Sequence, residues 1–314
     1  MILHISPTYS VPHCGIAKYS KYLYSAIGKL NQFPQIVLEG GLNSIRHSLL
    51  THRPTVCHLQ LEYGFCPPER LFLLEEYCRE IQTKLVVTYH SLAPMPHNLV
   101  PALRLTHTVR GRSEQYGSFE RIFSPIPSIP IGDFPKNYLS LKQRICDSQS
   151  YLFFGQAHPH KGLLETLVAF KARPQLDLVC VVSKPAAGST DYFDLCKAKA
   201  EGMSNVFWLD QYLEDSEVLG VAAQCKAAIF PYKEYGAIGT SAAIRLILNT
   251  DIPIYHSDTT HFEDLKWASL YYGMPLEEFL QGNPVSDQVQ LQKVRAEWSF
   301  DNSAKQHLDL YRIW

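Results

Sequence analysis

Four prolines stand within the run PIPSIPIGDFP, residues 125 to 135. Proline fixes φ and carries no N–H, so neither a helix interior nor a central strand can run through such a segment. It divides the chain into two parts with one pattern: short β-branched apolar runs separated by amphipathic segments. That alternation predicts parallel strands joined by crossover helices, an α/β fold class. Two α/β halves are more economical than one sheet of about ten strands, and 314 residues suffice for two cores. A linker or hinge is expected near residues 125 to 148.

In the first half, Ile2 to Ile5 reads as a strand, residues 6 to 14 as a loop, and Gly15 to Leu30 as a helix. Ile16, Tyr19, Leu23, Ile27 and Leu30 are spaced along that helix to face a sheet. Further strands are expected at Ile36 to Leu38, Val56 to Gln60, Leu85 to His90 and Arg121 to Ser124, with a helix over about 68 to 82. The second half places strands at Tyr151 to Phe154, Leu176 to Val182, Asn205 to Leu209, Ala227 to Phe230 and Ile252 to Tyr255. Its helices are Gly162 to Lys171 and about 190 to 201, 214 to 225 and 240 to 249. A terminal helix is expected from Val294 to Tyr311.

Bulk composition limits the partners. Lysine and arginine total 29 against 30 acidic residues, so no global field attracts nucleic acid, and any phosphate site is local. The eight cysteines form no close CxxC pair and read as buried thiols of a cytosolic protein. The amino-terminal run lacks the segments of a signal peptide, and no apolar stretch reaches 18 residues. The expected location is cytoplasmic, with peripheral contact at the inner face of a membrane left open. Arg104, His107, Arg110 and Arg112 form a local basic patch that can dock a phosphorylated lipid or headgroup.

Two strand-to-helix turns in the second half are suited to an anion. Gly155-Gln156 through Lys161-Gly162 can direct backbone N–H groups and the Lys161 ammonium at a phosphate. Gly236 and Gly239 permit close backbone approach, Thr240 or Ser241 can cap the next helix, and Arg245 lies further along it. An exposed or carboxylate-paired Arg245 is the competing reading. Glu234 can accept hydrogen bonds from sugar or ribose hydroxyls, and Asp210 can bond a ribose or base. In the first half, Gly15 opens a helix after a loop, His90 ends a strand, and His58 and Glu62 are further candidates. His256-Ser257-Asp258 and His261 to Asp264 read first as a loop facing a ribose, ahead of a metal cluster.

With these segments in place, the chain resembles the GT-B-fold retaining glycosyltransferases of family 4, which include many bacterial mannosyl- and glucosyltransferases. Cys14-Gly15-Ile16-Ala17-Lys18-Tyr19 is similar to the family's glycine loop, Thr88-Tyr89-His90-Ser91 to its strand-end histidine, and Pro130-Ile131-Gly132-Asp133 to its domain crossing. Phe154-Gly155 through Lys161-Gly162 resembles the diphosphate-binding G-R-x(n)-K-G segment. Gly239 to Arg245, followed by Pro253, resembles the donor-loop helix. Two departures stand out: Gln156 occupies the usual arginine position, and Arg245 best matches the second of the usual paired glutamates.

The resemblance implies two Rossmann-like domains with an interdomain cleft. The acceptor-side domain would span 1–135 with a returning helix at 298–314, and the nucleotide-sugar domain 148–297. It implies transfer of a hexosyl group (mannose, glucose or galactose) from a GDP- or UDP-linked sugar to a hydroxyl acceptor, with retention and without metal or other cofactor. The acceptor is a glycan, a lipid-linked sugar or a small molecule. Catalytic roles fall to His90, Lys161, Arg245 and Glu234, and donor binding to Gly15, Gly155, Gln156, Asp210, Gly239, Thr240 and Ser241. Two other readings stay open: a phosphorylase or sugar-nucleotide epimerase on this fold, and a non-catalytic glycan- or nucleotide-sugar-binding subunit with a degenerate donor site.

Overall fold

The computed structural model describes residues 1–7, 14–30, 34–39, 44–64, 66–108, 110–147, 150–185, 189–236, 238–267 and 274–313. The chain forms two compact units. The first comprises Met1–Pro125, Gly236–Thr240 and Trp298–Trp314; the second comprises Ile126–Tyr235 and Ser241–Glu297.

The first unit is built on strands β1 (Ile2–Ser6), β2 (Gln35–Glu39), β3 (Val56–Leu61), β4 (Lys84–Tyr89), β5 (Ser91–Leu92), β6 (Leu103–Thr106) and β7 (Glu120–Arg121). Six of them pair in the order β2-β1-β3-β4-β6-β7, all parallel. Successive side chains of a strand point to opposite faces, and both faces are filled. Leu3, Ile5, Cys57, Leu59, Leu85 and Val87 join a core with Leu49, Leu71 and Leu74 from helices Ile45–His52 and Pro68–Glu80. Ile2, Val56, Val86 and Leu105 join another with Leu23 and Ile27 of helix Gly15–Leu30 and Leu308 and Tyr311 of helix Phe300–Ile313.

That second face is apolar only toward the amino ends of its strands. The same alternation places His4, His58, Gln60 and Thr88 on it, and all four are buried.

The second unit contains β8 (Tyr151–Gln156), β9 (Leu178–Ser183), β10 (Val206–Leu209), β11 (Ala227–Phe230) and β13 (Ile254–His256), paired in the order β10-β9-β8-β11-β13, again all parallel. Tyr151, Phe153, Cys180 and Ile229 pack with Leu167 and Phe170 of helix Leu163–Lys171 and Cys196 of helix Asp191–Ala200. Leu152, Val179, Ala228 and Phe230 on the opposite face are equally buried, as a parallel sheet requires. Strand β12 (Ile238–Gly239) lies between β11 and β13 in sequence but pairs antiparallel with β5 of the first unit.

The proline-rich segment follows the second unit from Ile126 onward. Gly132 N–H donates to the Ser216 carbonyl at 3.0 Å. A Cβ on Gly220 would come within 2.6 Å of the Gly132 and Asp133 carbonyl oxygens, so the absent side chain lets this segment lie directly on helix Asp215–Ala222. The structure also resolves what periodicity merged or missed. The expected terminal helix is two helices, Gln288–Glu297 and Phe300–Ile313, and β6 was not expected. Among the described residues no helix is long and apolar enough to cross a membrane.

Candidate functional site

In an open parallel sheet, ligands bind beyond the carboxyl ends of the strands where the strand order reverses. In the second unit that reversal lies between β8 and β11. The loops leaving these two strands are Gly155 to Gly162 and Pro231 to Tyr235. They are held together by backbone contact: Lys233 N–H donates to the His160 carbonyl at 2.7 Å. Gly162, at φ 74°, lies so close to Pro231 that a Cβ there would sit 2.3 Å from its carbonyl oxygen. Only glycine fits both that φ and that space.

Gly155 has φ 139°, and a Cβ built on it would be 3.5 Å from Lys161 Nζ and 3.8 Å from Ala243 Cβ. The two anion-ready segments of the sequence therefore meet over Gly155. Lys161 ends the short 3-10 turn Pro159–Lys161 and holds its ammonium 5.2 Å from the centre of the Tyr232 ring. Nearby lysines are neutralised: Lys233 by Glu165, Lys197 by Asp210 and Lys266 by Asp258. Among the described residues no carboxylate lies within ion-pair distance of Lys161.

Around this ammonium stand three histidines. His158 Nε2 lies 3.3 Å from Gln156 Oε1, so it donates to that amide oxygen. The His160 ring stacks on Tyr235 at 4.8 Å, on His158 at 5.4 Å and on His261 at 5.9 Å. Burial first, then the charge of Lys161, pushes His158 below the ordinary histidine range and His160 down to about 4. His261 is lowered by burial and by Lys161, against the opposing pull of Glu234. His158, His160 and Tyr232 are absent from the residues read as site candidates in the sequence. The available signal was the alternation of histidines just ahead of Lys161.

The other expected donor residues are placed as follows. Ser241 is buried and its hydroxyl lies 3.1 Å from the Tyr232 hydroxyl. Asp210 follows β10, and the register Leu209↔Val181 and Phe154↔Val181 sets it two strands from Gly155, roughly 10 Å away. It accepts from Lys197 at 3.0 Å and from the Tyr138 hydroxyl at 3.3 Å, contacts that hold its carboxyl below the usual range. Glu234 is exposed, and its two oxygens accept from the Thr260 N–H and hydroxyl, each at 2.9 Å.

Arg245 takes the carboxylate-paired setting that competed with its phosphate role. It is buried and ion-paired with Asp264, and both side chains are 3% exposed. Its helix, Ala242–Ile247, is so short and enclosed that Ile244, Arg245, Leu246 and Ile247 are all buried. Gly239 and Thr240, expected beside the phosphate, belong to the first unit. Gly239 pairs with Ser91, where a Cβ would come 2.7 Å from the His90 carbonyl oxygen, and the Thr240 hydroxyl donates to Ser124 Oγ at 3.1 Å. Ala237 of this segment lies outside the described residues.

In the first unit the strand order reverses between β1 and β3. Most of the expected loop 6 to 14, residues 8–13, lies outside the described residues; Gly15 is exposed at the start of its helix. Beyond β3, Glu62 accepts from the Ser91 hydroxyl at 3.3 Å, and burial raises its carboxyl. His90 is partly buried, and its Nε2 lies 2.8 Å from Gln60 Oε1, an atom that only accepts, so Nε2 carries the proton. Gln60 Nε2 in turn donates to His58 Nε2 at 3.2 Å, which makes His58 an acceptor there and leaves its Nδ1–H for the Tyr311 hydroxyl at 2.6 Å. Burial, reinforced by His307, lowers His90 to about 3. Of the expected basic patch, Arg104 donates to the Asn98 carbonyl and His107 is buried against the Phe123 carbonyl; the Arg110 side chain lies outside the description.

No protein-family model and no curated protein matches this chain in sequence. Solved structures match it in fold. The sucrose-phosphate synthase (tll1590) from Thermosynechococcus elongatus aligns with a TM-score of 0.70 at 14% identity, over 99% of this chain and 98% of its own. Anabaena Alr3699/HepE in complex with UDP aligns at 0.69 and 11% identity over 100% of both chains. The E. coli trehalose-6-phosphate structure bound with UDP-2-fluoro glucose aligns at 0.68 and 10% identity, over 99% and 98%. The chain thus has two Rossmann-like α/β domains of the GT-B fold. Among the described residues, no group of three His, Cys, Asp or Glu side chains could hold a metal ion.

Two outcomes follow from this site's burial. His4 and His307 are lowered to about 3 and about 4, and His58 well below its ordinary value, chiefly by burial. Below about pH 6.5 the unfolded chain binds protons that the folded chain refuses, so stability falls as the pH drops from there toward the folded values. Urea unfolding is expected to show a loss on the order of 1–2 kcal/mol per such histidine at about pH 5 relative to pH 7.5; an unchanged stability would contradict these assignments. Arg245→Ala is expected to cost about 3–5 kcal/mol of stability by stranding Asp264, read from the same unfolding curves.

Proposed function

We propose that this chain is a nucleotide-sugar-dependent glycosyltransferase that moves a hexosyl group (mannose, glucose or galactose) from a GDP- or UDP-linked donor to a hydroxyl acceptor, with retention and without a metal. The fold alone hosts several chemistries, so the reading rests on one observation: the Lys161 ammonium has no carboxylate partner among the described residues and stands over Gly155 at the strand-order reversal of the second unit. A cation there meets the charge that develops on a departing diphosphate. Three solved structures of this fold, those of HepE with UDP, UDP and glucose, and UDP-glucose, agree with such a ligand.

In this reading Gly155 lets the diphosphate approach the backbone, while the Tyr232 and Ser241 hydroxyls and the Gln156 amide offer neutral donors. Asp210, at the far strand, faces the ribose or base. Glu234 keeps lone pairs for a sugar hydroxyl beyond those given to Thr260. The first unit takes the acceptor, with His90 as a neutral positioning group: its Nε2–H is held by Gln60, so Nδ1 is the acceptor for a hydroxyl. The departing phosphate then takes the acceptor's proton on the same face. Kinship with family 4, a cytoplasmic location and a glycan, lipid-linked or small-molecule acceptor belong to the same proposal.

A second reading, a nucleotide-sugar-binding subunit without transfer, is favoured by one observation. Arg245 is committed to Asp264 and Gln156 is neutral, which leaves Lys161 as the fixed positive charge over Gly155.

A thermal-shift panel of uridine, guanosine, adenosine and thymidine diphosphates with their sugar conjugates tests donor binding, since a ligand of the native state raises its melting temperature. One base family is expected to stand out, followed by acceptor-dependent release of that diphosphate that persists in excess chelator. Lys161→Ala is expected to lower kcat/KM by about 2–4 kcal/mol, on the order of 30- to 1,000-fold. Binding without release under any acceptor supports the second reading; no shift from any nucleotide overturns both.

A further inference from the structure

The charge around Lys161 is too small for its ligand. A sugar nucleotide's diphosphate carries about two negative charges, since each phosphate keeps one acidic oxygen that is ionised near neutral pH, whereas among the described residues the fixed charge facing Gly155 is the Lys161 ammonium. The neighbouring ionic groups have partners of their own: Lys184, just past β9, is paired with Asp194 at 3.7 Å. Lys233 is paired with Glu165 from helix Leu163–Lys171, Asp258 with Lys266, and Arg245 with Asp264. Glu234 is bound to Thr260 and pulls on His261. His256, the last residue of β13, contacts the Ser257 carbonyl and the Phe262 ring. What lies beside Lys161 in their place is a stack of imidazoles.

We propose that the diphosphate binds there together with protons taken up by His158 and His160, so that the positive charge of the site is assembled on binding and donor affinity rises as the pH falls. The inference rests on the reading of the Lys161 cradle as a diphosphate site and adds to it the residues that complete its charge.

The geometry accommodates the charged imidazoles. His158 already donates from Nε2 to Gln156 Oε1, so a proton on Nδ1 adds a second donor without breaking the first bond. His160 lies between aromatic faces, stacked on Tyr235 and edge-on to Tyr232 at 6.0 Å, and such faces stabilise a cation. The direction of the electrostatics reverses on binding. Burial, Lys161 and the neighbouring imidazoles of His158 and His261 hold His160 down to about 4; a bound diphosphate cancels the Lys161 field and adds its own. An opposite charge within about 4–6 Å displaces a neighbouring titration by roughly one to three pH units, so two such charges bring His160 into the neutral range. Glu234 favours a proton on His261 against burial and Lys161, so that imidazole carries the uptake left when His158 and His160 are replaced.

Isothermal titration of the full chain with UDP-glucose and GDP-mannose tests this, in buffers of different ionisation enthalpy at about pH 7. Sugar conjugates are the right probes because a free terminal phosphate would itself titrate near pH 6. The expected result is uptake of on the order of one proton per ligand, with affinity rising about 3- to 10-fold between about pH 8 and pH 6. His158→Gln and His160→Gln, singly and together, are expected to reduce the uptake stepwise and to flatten the pH dependence, with thermal unfolding reporting that each variant folds. Binding without proton uptake, or equal uptake in the double variant, overturns the proposal while leaving the donor site intact. Failure of both ligands to bind at any pH overturns the donor reading and this inference with it.

Discussion

The parallel pairing of β8 with β11 is the constraint on which the second unit's chemistry depends. Because the strand order reverses between them, the loops that leave them meet beyond the carboxyl edge. They approach closely because Gly162 tolerates the Pro231 carbonyl where any side chain would collide. The Lys233 to His160 backbone hydrogen bond then fixes one loop against the other. Backbone contacts thus bring together the loops that carry His160, Lys161 and Tyr232.

The first unit shows the opposite use of polar groups. His4, His58, Gln60 and Thr88 occupy core positions of a parallel sheet, where an unsatisfied polar group is costly. Gln60 resolves the problem by bonding His58 and His90 at once, and His58 passes the network to Tyr311 of the terminal helix. One glutamine therefore sets the tautomer of a candidate site histidine and helps anchor a helix distant in sequence. Such networks fix orientation when all members are satisfied.

The two arginine-like expectations for the donor site diverged for a physical reason. The Arg245 guanidinium is enclosed, with Ile244, Leu246 and Ile247 of its short helix buried beside it, and Asp264 supplies the compensating charge. Gln156 contributes an amide, which hydrogen-bonds an anion without neutralising it. Among the described residues the fixed positive charge over Gly155 is then one lysine, with imidazoles stacked beside it.

Much of the architecture was legible in the amino-acid order. Short apolar, β-branched runs set the strands, period-3.6 faces set the helices, and the four prolines marked the crossing into the second unit, because these are local steric and solvation rules. Gly155, Gln156 and Lys161 were legible as site candidates because a glycine turn between a strand and a helix is a local feature too. The rest depended on contacts between residues far apart in the chain. Nothing near Arg245 in sequence announces Asp264, nothing near Gly239 announces Ser91, and the short β6 needed β4 beside it to be recognised as a strand. The pairing of Tyr311 with His58 and the stacking of His160 on Tyr235 and His261 likewise arise only when separate elements pack. Sequence determined which residues could bind an anion; tertiary packing decided which of them kept an unneutralised charge facing the open end of the sheet.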